Sequence, residues 1–210
     1  CAFGCSHRIT KSIKMLPQLM KSQNKLVVAG VLLNQEIKNL GNFGQRVINQ
    51  PKKTVVIAGG SKVSDKIAVL KQFVHTEVKA IFIGGKMVNA FLLAQNSKSK
   101  MKTFGISDIP GNLVSSSDEA NHNLVNEVSL AAEILDFAIN KKVDLIFPQD
   151  YKCVNEFKSP KYFIKTKPNF EKELQLDLGP KTIESFKNTI LSDGIENIID
   201  RKSTRLNSSH

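Results

Sequence analysis

Between Thr54 and Phe147 the chain alternates two kinds of apolar pattern. Thr54-Val55-Val56-Ile57-Ala58, Ala80-Ile81-Phe82-Ile83 and Val143-Asp144-Leu145-Ile146-Phe147 are short, nearly continuous apolar runs. Such runs mark strands covered on both faces. Between them the apolar residues fall at three- and four-residue spacings. These predict a helix from Ser61, as N-cap, through Val74, a second over Met87–Gln95, and a long third over Asp118–Lys142. The third carries Leu124, Val128, Ala131, Ala132, Leu135 and Ala138 on one face. Further on, Tyr162-Phe163-Ile164 suggests a short strand, Lys181–Leu191 a helix and Ile195–Ile199 a last strand. Upstream, Val31, Leu32, Ile37, Leu40, Phe43 and Val47 predict a helix from Leu26 to Ile48, weakened by Gly41 and Gly44. Residues 9–28, with Pro17, read as a connector, and residues 96–117 as a polar loop. Strands alternating with helices predict an α/β fold, a doubly wound and mostly parallel sheet of Rossmann-like type. In that architecture ligands bind beyond the carboxyl ends of the strands.

Both glycine pairs fall at such strand ends. Gly59-Gly60-Ser61-Lys62-Val63-Ser64-Asp65-Lys66 follows the first strand. Glycines let the backbone turn tightly and approach a ligand, and a helix start offers unpaired amides to phosphate oxygens. On a helix, Lys62 and Lys66 share a face, so two cations can address one polyphosphate. Asp65 can hold a lysine in place or meet a metal ion. A plain glycine turn with a lysine-rich first helical turn accounts for the same residues equally well. The motif is neither a P-loop nor a dinucleotide fingerprint, since both spacings are wrong. Ile83-Gly84-Gly85-Lys86-Met87 repeats the strand–glycine–helix arrangement, and two such turns at neighbouring strand ends can form one nucleotide cleft.

Charge and cysteine content narrow the classes further. The 210 residues carry a net charge of +11. Setting aside residues 200–210 removes three positive charges and one negative and leaves +9. The balance favours anionic ligands. The lysines are dispersed, however, and Trp is absent, so a nucleic-acid surface with stacking aromatics is not indicated. No apolar run approaches a membrane span. Three cysteines, Cys1, Cys5 and Cys153, do not make a disulfide framework, and a cytoplasmic setting is expected. Asp200–His210 resembles one translated frame of a sequencing-adapter oligonucleotide and is set aside as a non-native tail.

Near the start, His7 and Arg8 follow a glycine turn, an arrangement able to bind an anion through the guanidinium fork, although taken alone such a pair is more often plain surface. The order of blocks then carries a resemblance. Ala2-Phe3-Gly4-x-x-His7-Arg8, Ala29-Gly30-x-Leu32-x-x-x-Glu36, Gly59–Ile67, Ile83–Met87, Phe147-Pro148-Gln149-Asp150 and Leu176-Asp177-Leu178-Gly179-Pro180 resemble, in order, blocks of the phosphoglycerate kinases. The likeness runs from residue 2 to about residue 199.

The resemblance implies reversible phosphoryl transfer between 1,3-bisphosphoglycerate and ADP, giving 3-phosphoglycerate and ATP, with Mg2+ accompanying the nucleotide. It assigns Lys62 to the transferring phosphoryl group and His7 and Arg8 to phosphoglycerate. Lys66 goes to the nucleotide phosphates, and Gly59, Gly60, Ser61, Gly84, Gly85 and Leu176 border the nucleotide. Asp65 lies near the metal. It divides the chain into the end of a substrate lobe with its connector (residues 1–25), an interdomain helix (26–53) and the first part of a nucleotide-binding domain (54–199). The rest of the substrate lobe and two later nucleotide loops are missing, so the chain by itself is expected to be inactive, and its parent a monomeric kinase of the cytoplasm. Cys1, Thr10, Lys86, Gln149 and Gln175 depart from the family pattern. These departures keep open a catalytically silent nucleotide-binding module of the same fold.

Overall fold

The computed structural model describes residues 3–6, 8–99, 105, 116–156, 161–166, 174–192 and 194–201. The chain divides into two compact units, Cys1–Asn49 and Gln50–His210.

In the first unit a 3-10 turn, Phe3–Cys5, and a π-type turn, Lys11–Met15, lead into α1, Leu16–Ser22. The segment expected to be a connector is thus partly helical. Pro17 fits because it stands in the first turn, where no N–H is needed. Asn24, at φ 54°, turns the chain out of α1. The next helix, α2, spans Val31–Asn49, starting five residues later than the apolar pattern suggested. Gly41 and Gly44 lie inside it without breaking it.

The second unit is built on four parallel strands: β1 (Thr54–Gly59), β2 (Ala80–Gly84), β3 (Asp144–Ile146) and β7 (Asn197–Arg201), in the order β3-β2-β1-β7. Alternate residues feed two cores. Val56, Ala58, Ile81 and Ile83 pack under α3 (Ile67–His75), α4 (Val88–Ser99) and α5 (Asp118–Lys141). Val55, Ala80 and Phe82 face the other way, against Phe186 of α6 (Pro180–Ser192). The Phe82 and Phe186 rings lie 4.3 Å apart between centroids. Helices on both faces explain why β1 and β2 read as unbroken apolar runs: neither face meets water. The doubly wound α/β class is therefore what the chain adopts. The chain passes from β1 outward to β2 and β3, then returns to the far side of β1 as β7. That reversal puts the topological switch point at β1 and β7. β7 runs two residues past Ile199, with Asp200 opposite Ile57 and Arg201 opposite Ala58. A ladder asks only for extended backbone with free N–H and C=O groups, whatever the side chains.

A second, antiparallel sheet joins β4 (Tyr151–Val154) to β5 (Phe163–Lys165) and β6 (Leu174–Leu178), in the order β5-β4-β6. Only β5 was anticipated among these. One group ties this sheet to α6. Asp150 is fully buried, and its carboxylate accepts from the N–H of Lys181 (3.1 Å), the N–H of Thr182 (2.8 Å) and the Thr182 hydroxyl (2.7 Å). It caps the first turn of α6 from the residue just before β4, about thirty residues away in sequence, satisfying amides the helix cannot pair itself. Gly179 makes room for it: a Cβ there would stand 2.3 Å from the Asp150 Cγ. Burial pushes the Asp150 carboxyl upward. The Thr182 hydroxyl, the Thr182 and Lys181 amides and the Lys181 charge outweigh that, so the net direction is downward.

A carboxyl lowered on folding lends stability that is complete above the unfolded-state value, about 3.9, and is lost as pH falls through the folded one. Asp150→Asn should therefore destabilise the second unit by about 1–3 kcal/mol near neutrality. The gap from wild type should close in acid. Urea unfolding at a series of pH values checks this, and a gap independent of pH would refute the charged cap.

Candidate functional site

β1 and β2 end level, with Gly59 opposite Gly84 in the ladder. Beyond them the two glycine turns touch. Gly85 has φ +69°, and a Cβ on it would stand 2.7 Å from the carbonyl oxygen and 2.9 Å from the nitrogen of Gly60. Both the left-handed conformation and the close approach exclude a side chain. The Met87 N–H, just past the second turn, donates to the Gly60 carbonyl at 3.0 Å. The two motifs read separately along the chain are thus one structure.

The first loop is not the helix start that its sequence suggested. Residues 61–66 form successive turns, and α3 begins only at Ile67, with Lys66 as its N-cap and no side-chain cap. Ser61 is therefore not an N-cap, and Lys62 and Lys66 do not share a helix face. The reason is Val63, which is fully buried and pulls the middle of the loop into the core with Met87 and the α5 side chains. A helix from Ser61 would have to release it. Lys62 is exposed. Lys66 is half-buried, its stem lying over Gly60, where a Cβ would meet Lys66 Cε at 3.4 Å and Met87 Sδ at 3.5 Å. The bare glycine thus carries the lysine stem to the carboxyl end of β1. Asp65 is exposed on the same loop.

Glu127 of α5 holds this loop, and no reading of the motif anticipated it. Its carboxylate accepts from the Val63 N–H, from the Ser64 N–H at 3.0 Å and from the Ser64 hydroxyl at 2.6 Å. A signal was present: Glu127 falls on the stripe of Leu124, Ala131 and Ile134, where a carboxylate interrupts an apolar face.

Between the loop, α4 and α5 lies a cleft of about 290 Å³, lined by the apolar Met87, Ala90, Ala120 and Leu124 and by the polar Ser61, Lys86, Asn89 and Glu127. Its size is at the lower end for small-molecule sites, with the expected apolar lining and few polar groups. Leu176 lies on β6 at a register shift: Asp177 pairs with Lys152 and Gln175 with Cys153, leaving Leu176 unopposed. Bulges of this kind concentrate beside functional sites. Leu178, on the same strand, approaches Gly84: a Cβ on that glycine would stand 4.0 Å from the Leu178 Cδ2. Gly59, Gly60, Ser61, Lys62, Asp65, Lys66, Gly84 and Gly85 are therefore gathered at the carboxyl ends of two adjacent strands. Arg8 lies in the first unit, exposed, with its N–H donating to the Cys5 carbonyl at 2.9 Å. His7 lies outside the described residues.

Among the described residues no group of three or more His, Cys, Asp or Glu side chains is placed to hold a metal ion. Asp65 is a lone carboxylate, and Glu127 is engaged by the loop. That donor set fits Mg2+ only where phosphate oxygens and water supply the other ligands, as they do for a nucleotide-borne ion. No helix among the described residues is long and apolar enough to cross a membrane.

Comparison with known proteins identifies the family. The phosphoglycerate kinase family model matches residues 2–195. A phosphoglycerate kinase of Lactobacillus delbrueckii subsp. lactis is 36% identical over 190 residues, covering 90% of this chain and 41% of the relative. Phosphoglycerate kinase A of Trypanosoma brucei brucei is 30% identical over 194 residues, covering 90% of this chain and 32% of the relative. The chain thus spans about two-fifths of the length of the first of these and a third of the second. Among solved structures, phosphoglycerate kinase from Coxiella burnetii aligns with a TM-score of 0.56 at 25% identity, over 82% of this chain and 38% of its own. The enzyme from Pyrococcus horikoshii OT3 aligns at 0.63 and 22% identity, over 94% and 44%, which bears on the fold alone. With two glycine turns locked at neighbouring strand ends, two loop lysines beside them and a family match over nearly its whole length, the chain belongs to the phosphoglycerate kinase family.

Proposed function

We propose that this chain carries the ADP/ATP-binding side of a phosphoglycerate kinase. Its parent transfers a phosphoryl group reversibly between 1,3-bisphosphoglycerate and ADP, giving 3-phosphoglycerate and ATP. One observation carries the reading: the contact of Gly60 with Gly85, which sets a base-sized apolar cleft and two lysines on one loop at the carboxyl ends of β1 and β2.

Phosphoryl transfer asks a protein mainly to position the reactants and neutralise charge, so no covalent nucleophile is needed. The base enters the cleft lined by Met87, Ala90, Ala120 and Leu124, bordered by Gly59, Gly60, Ser61, Gly84, Gly85 and Leu176. Lys66, its stem guided over Gly60, meets the nucleotide phosphates. Lys62, exposed, meets the group in transfer. Mg2+ bound with the nucleotide spreads the phosphate charge, and Asp65 is the carboxylate on this loop able to reach it. His7 and Arg8 belong to the grip on phosphoglycerate. The parent is a monomer of the cytoplasm in this reading. A second reading, a nucleotide-binding module without turnover, is favoured by Lys86, a cation lining the cleft where the family pattern has glycine.

Calorimetric titration of the 210-residue chain with Mg2+ and nucleotide tests the assignment. Lys66→Ala should weaken ADP and ATP alike, by roughly tenfold or more. Lys62→Ala should weaken ATP more than ADP. A chain that binds neither nucleotide would sink the proposal. In a coupled assay the chain alone should turn over no faster than its Lys62→Ala variant.

Gly85→Ala puts a side chain at positive φ against the Gly60 backbone. It should lower stability by about 1–3 kcal/mol and abolish nucleotide binding by parting the two turns. Gly41→Ala, with open space around it, serves as the control and should leave binding unchanged. Equal binding by both variants would show the glycine contact to be dispensable.

A further inference from the structure

The Gly59–Lys66 loop grips an anion, and the anion is the protein's own. Two successive backbone N–H groups, those of Val63 and Ser64, converge on the Glu127 carboxylate, and the Ser64 hydroxyl donates to its second oxygen. Converging main-chain amides are the usual means by which a loop binds phosphate. Here those two amides are taken by Glu127, so a polyphosphate cannot use them, and the lysine side chains carry more of its recognition. Lysine is a flexible point charge that loses rotamer freedom when fixed. Its use in a site therefore depends on how firmly its backbone is held.

Glu127 holds that backbone at the needed place. The Val63 N–H belongs to the peptide unit joining Lys62 to Val63, so a bond to it fixes the ψ angle of Lys62. The Ser64 N–H likewise fixes ψ of Val63, whose side chain is fully buried in the core. The loop is thus clamped from two sides, by Val63 packed inward and by Glu127 on its amides. Lys66 follows directly, its N–H donating to the Val63 carbonyl at 2.8 Å. Both lysines are referred, through two residues, to one carboxylate on α5.

We infer that Glu127 is a positioning residue, which sets Lys62 and Lys66 for the phosphates of a bound nucleotide. The inference rests on the nucleotide-binding reading above. Gln can replace Glu127 without loss of bonds: its carbonyl oxygen accepts from both amides, and its NH2 donates to the Ser64 hydroxyl. Ala cannot.

The test compares wild type, Glu127→Ala, Glu127→Gln and Ser64→Ala in the full 210-residue chain. ADP and adenosine are titrated in parallel, and amide hydrogen exchange is followed at Val63 and Ser64. Glu127→Ala should lose roughly tenfold in ADP affinity, with a clearly smaller loss for adenosine. Glu127→Gln should restore ADP binding, and Ser64→Ala should show a smaller loss. The Val63 and Ser64 amides should exchange faster in Glu127→Ala while those of α3 keep their protection. Equal losses for ADP and adenosine, or failure of Gln to restore binding, would overturn the inference, as would unchanged ADP affinity in Glu127→Ala. A wild-type chain that binds no ADP would overturn the nucleotide reading alone. The exchange rates would then decide on Glu127, unchanged protection at Val63 and Ser64 counting against it.

Discussion

Everything at the carboxyl end of the sheet depends on the backbone contact between Gly60 and Gly85. β1 and β2 are neighbours in a parallel ladder, so the loops leaving them start about 4.8 Å apart and would ordinarily diverge to make room for side chains. Gly85 removes that need, because its positive φ turns the chain toward Gly60 and its missing Cβ lets the two backbones meet. The Met87 N–H then closes on the Gly60 carbonyl, so the entry to α4 is fixed by the exit from β1. Met87 itself is buried, in the same core as Val63. A single conformational permission thus sets the directions of a strand exit, a loop and a helix together.

The other side of the sheet is organised by a different kind of constraint. Asp150 is a charge without solvent, held because four neighbours stabilise its ionised form: two amides, a hydroxyl and the Lys181 charge. Gly179 again supplies space, this time for a carboxylate and not for a backbone. The result joins the antiparallel sheet to the start of α6, and α6 in turn covers Phe82 through Phe186. Glycine on one side permits contact between loops, and on the other permits burial of a cap.

How much of this was legible follows from the range of the interactions. β1, β2 and β3 were plain, since burial on both faces leaves a continuous apolar run. The length of α5 was plain for its 3.6-residue stripe, and the Ser117 cap sits one residue ahead of the predicted start. The start of α3 was misread because Gly-Gly-Ser imitates a capped helix, while the decisive residue, Val63, is buried by partners on α4 and α5. The resemblance also drew attention to Phe147–Asp150 and Leu176–Pro180 as separate blocks. The structure shows part of the reason for their company: Asp150 in one caps the helix that begins at Pro180 in the other. β6 reads Leu-Gln-Leu-Asp-Leu, an alternation of the kind a half-covered strand carries.

Glu127 was the residue least open to a reading along the chain, because its partners are more than sixty positions away. Its position on an apolar stripe was nonetheless informative. A carboxylate is rarely placed against a core unless its oxygens are satisfied there, and a helix that presents one inward must find donors on a neighbouring element. The donors available near α5 are loop amides, since strand amides are already used in the ladder and helix amides within the helix. The same reasoning limits what the loop can do. Amides given to Glu127 are withdrawn from any ligand, so the affinity of the loop for an anion shifts from main chain to lysine side chains. What remains is directional: charge presented by Lys62 and Lys66 from a loop held at two points, by Val63 in the core and by Glu127 on its amides.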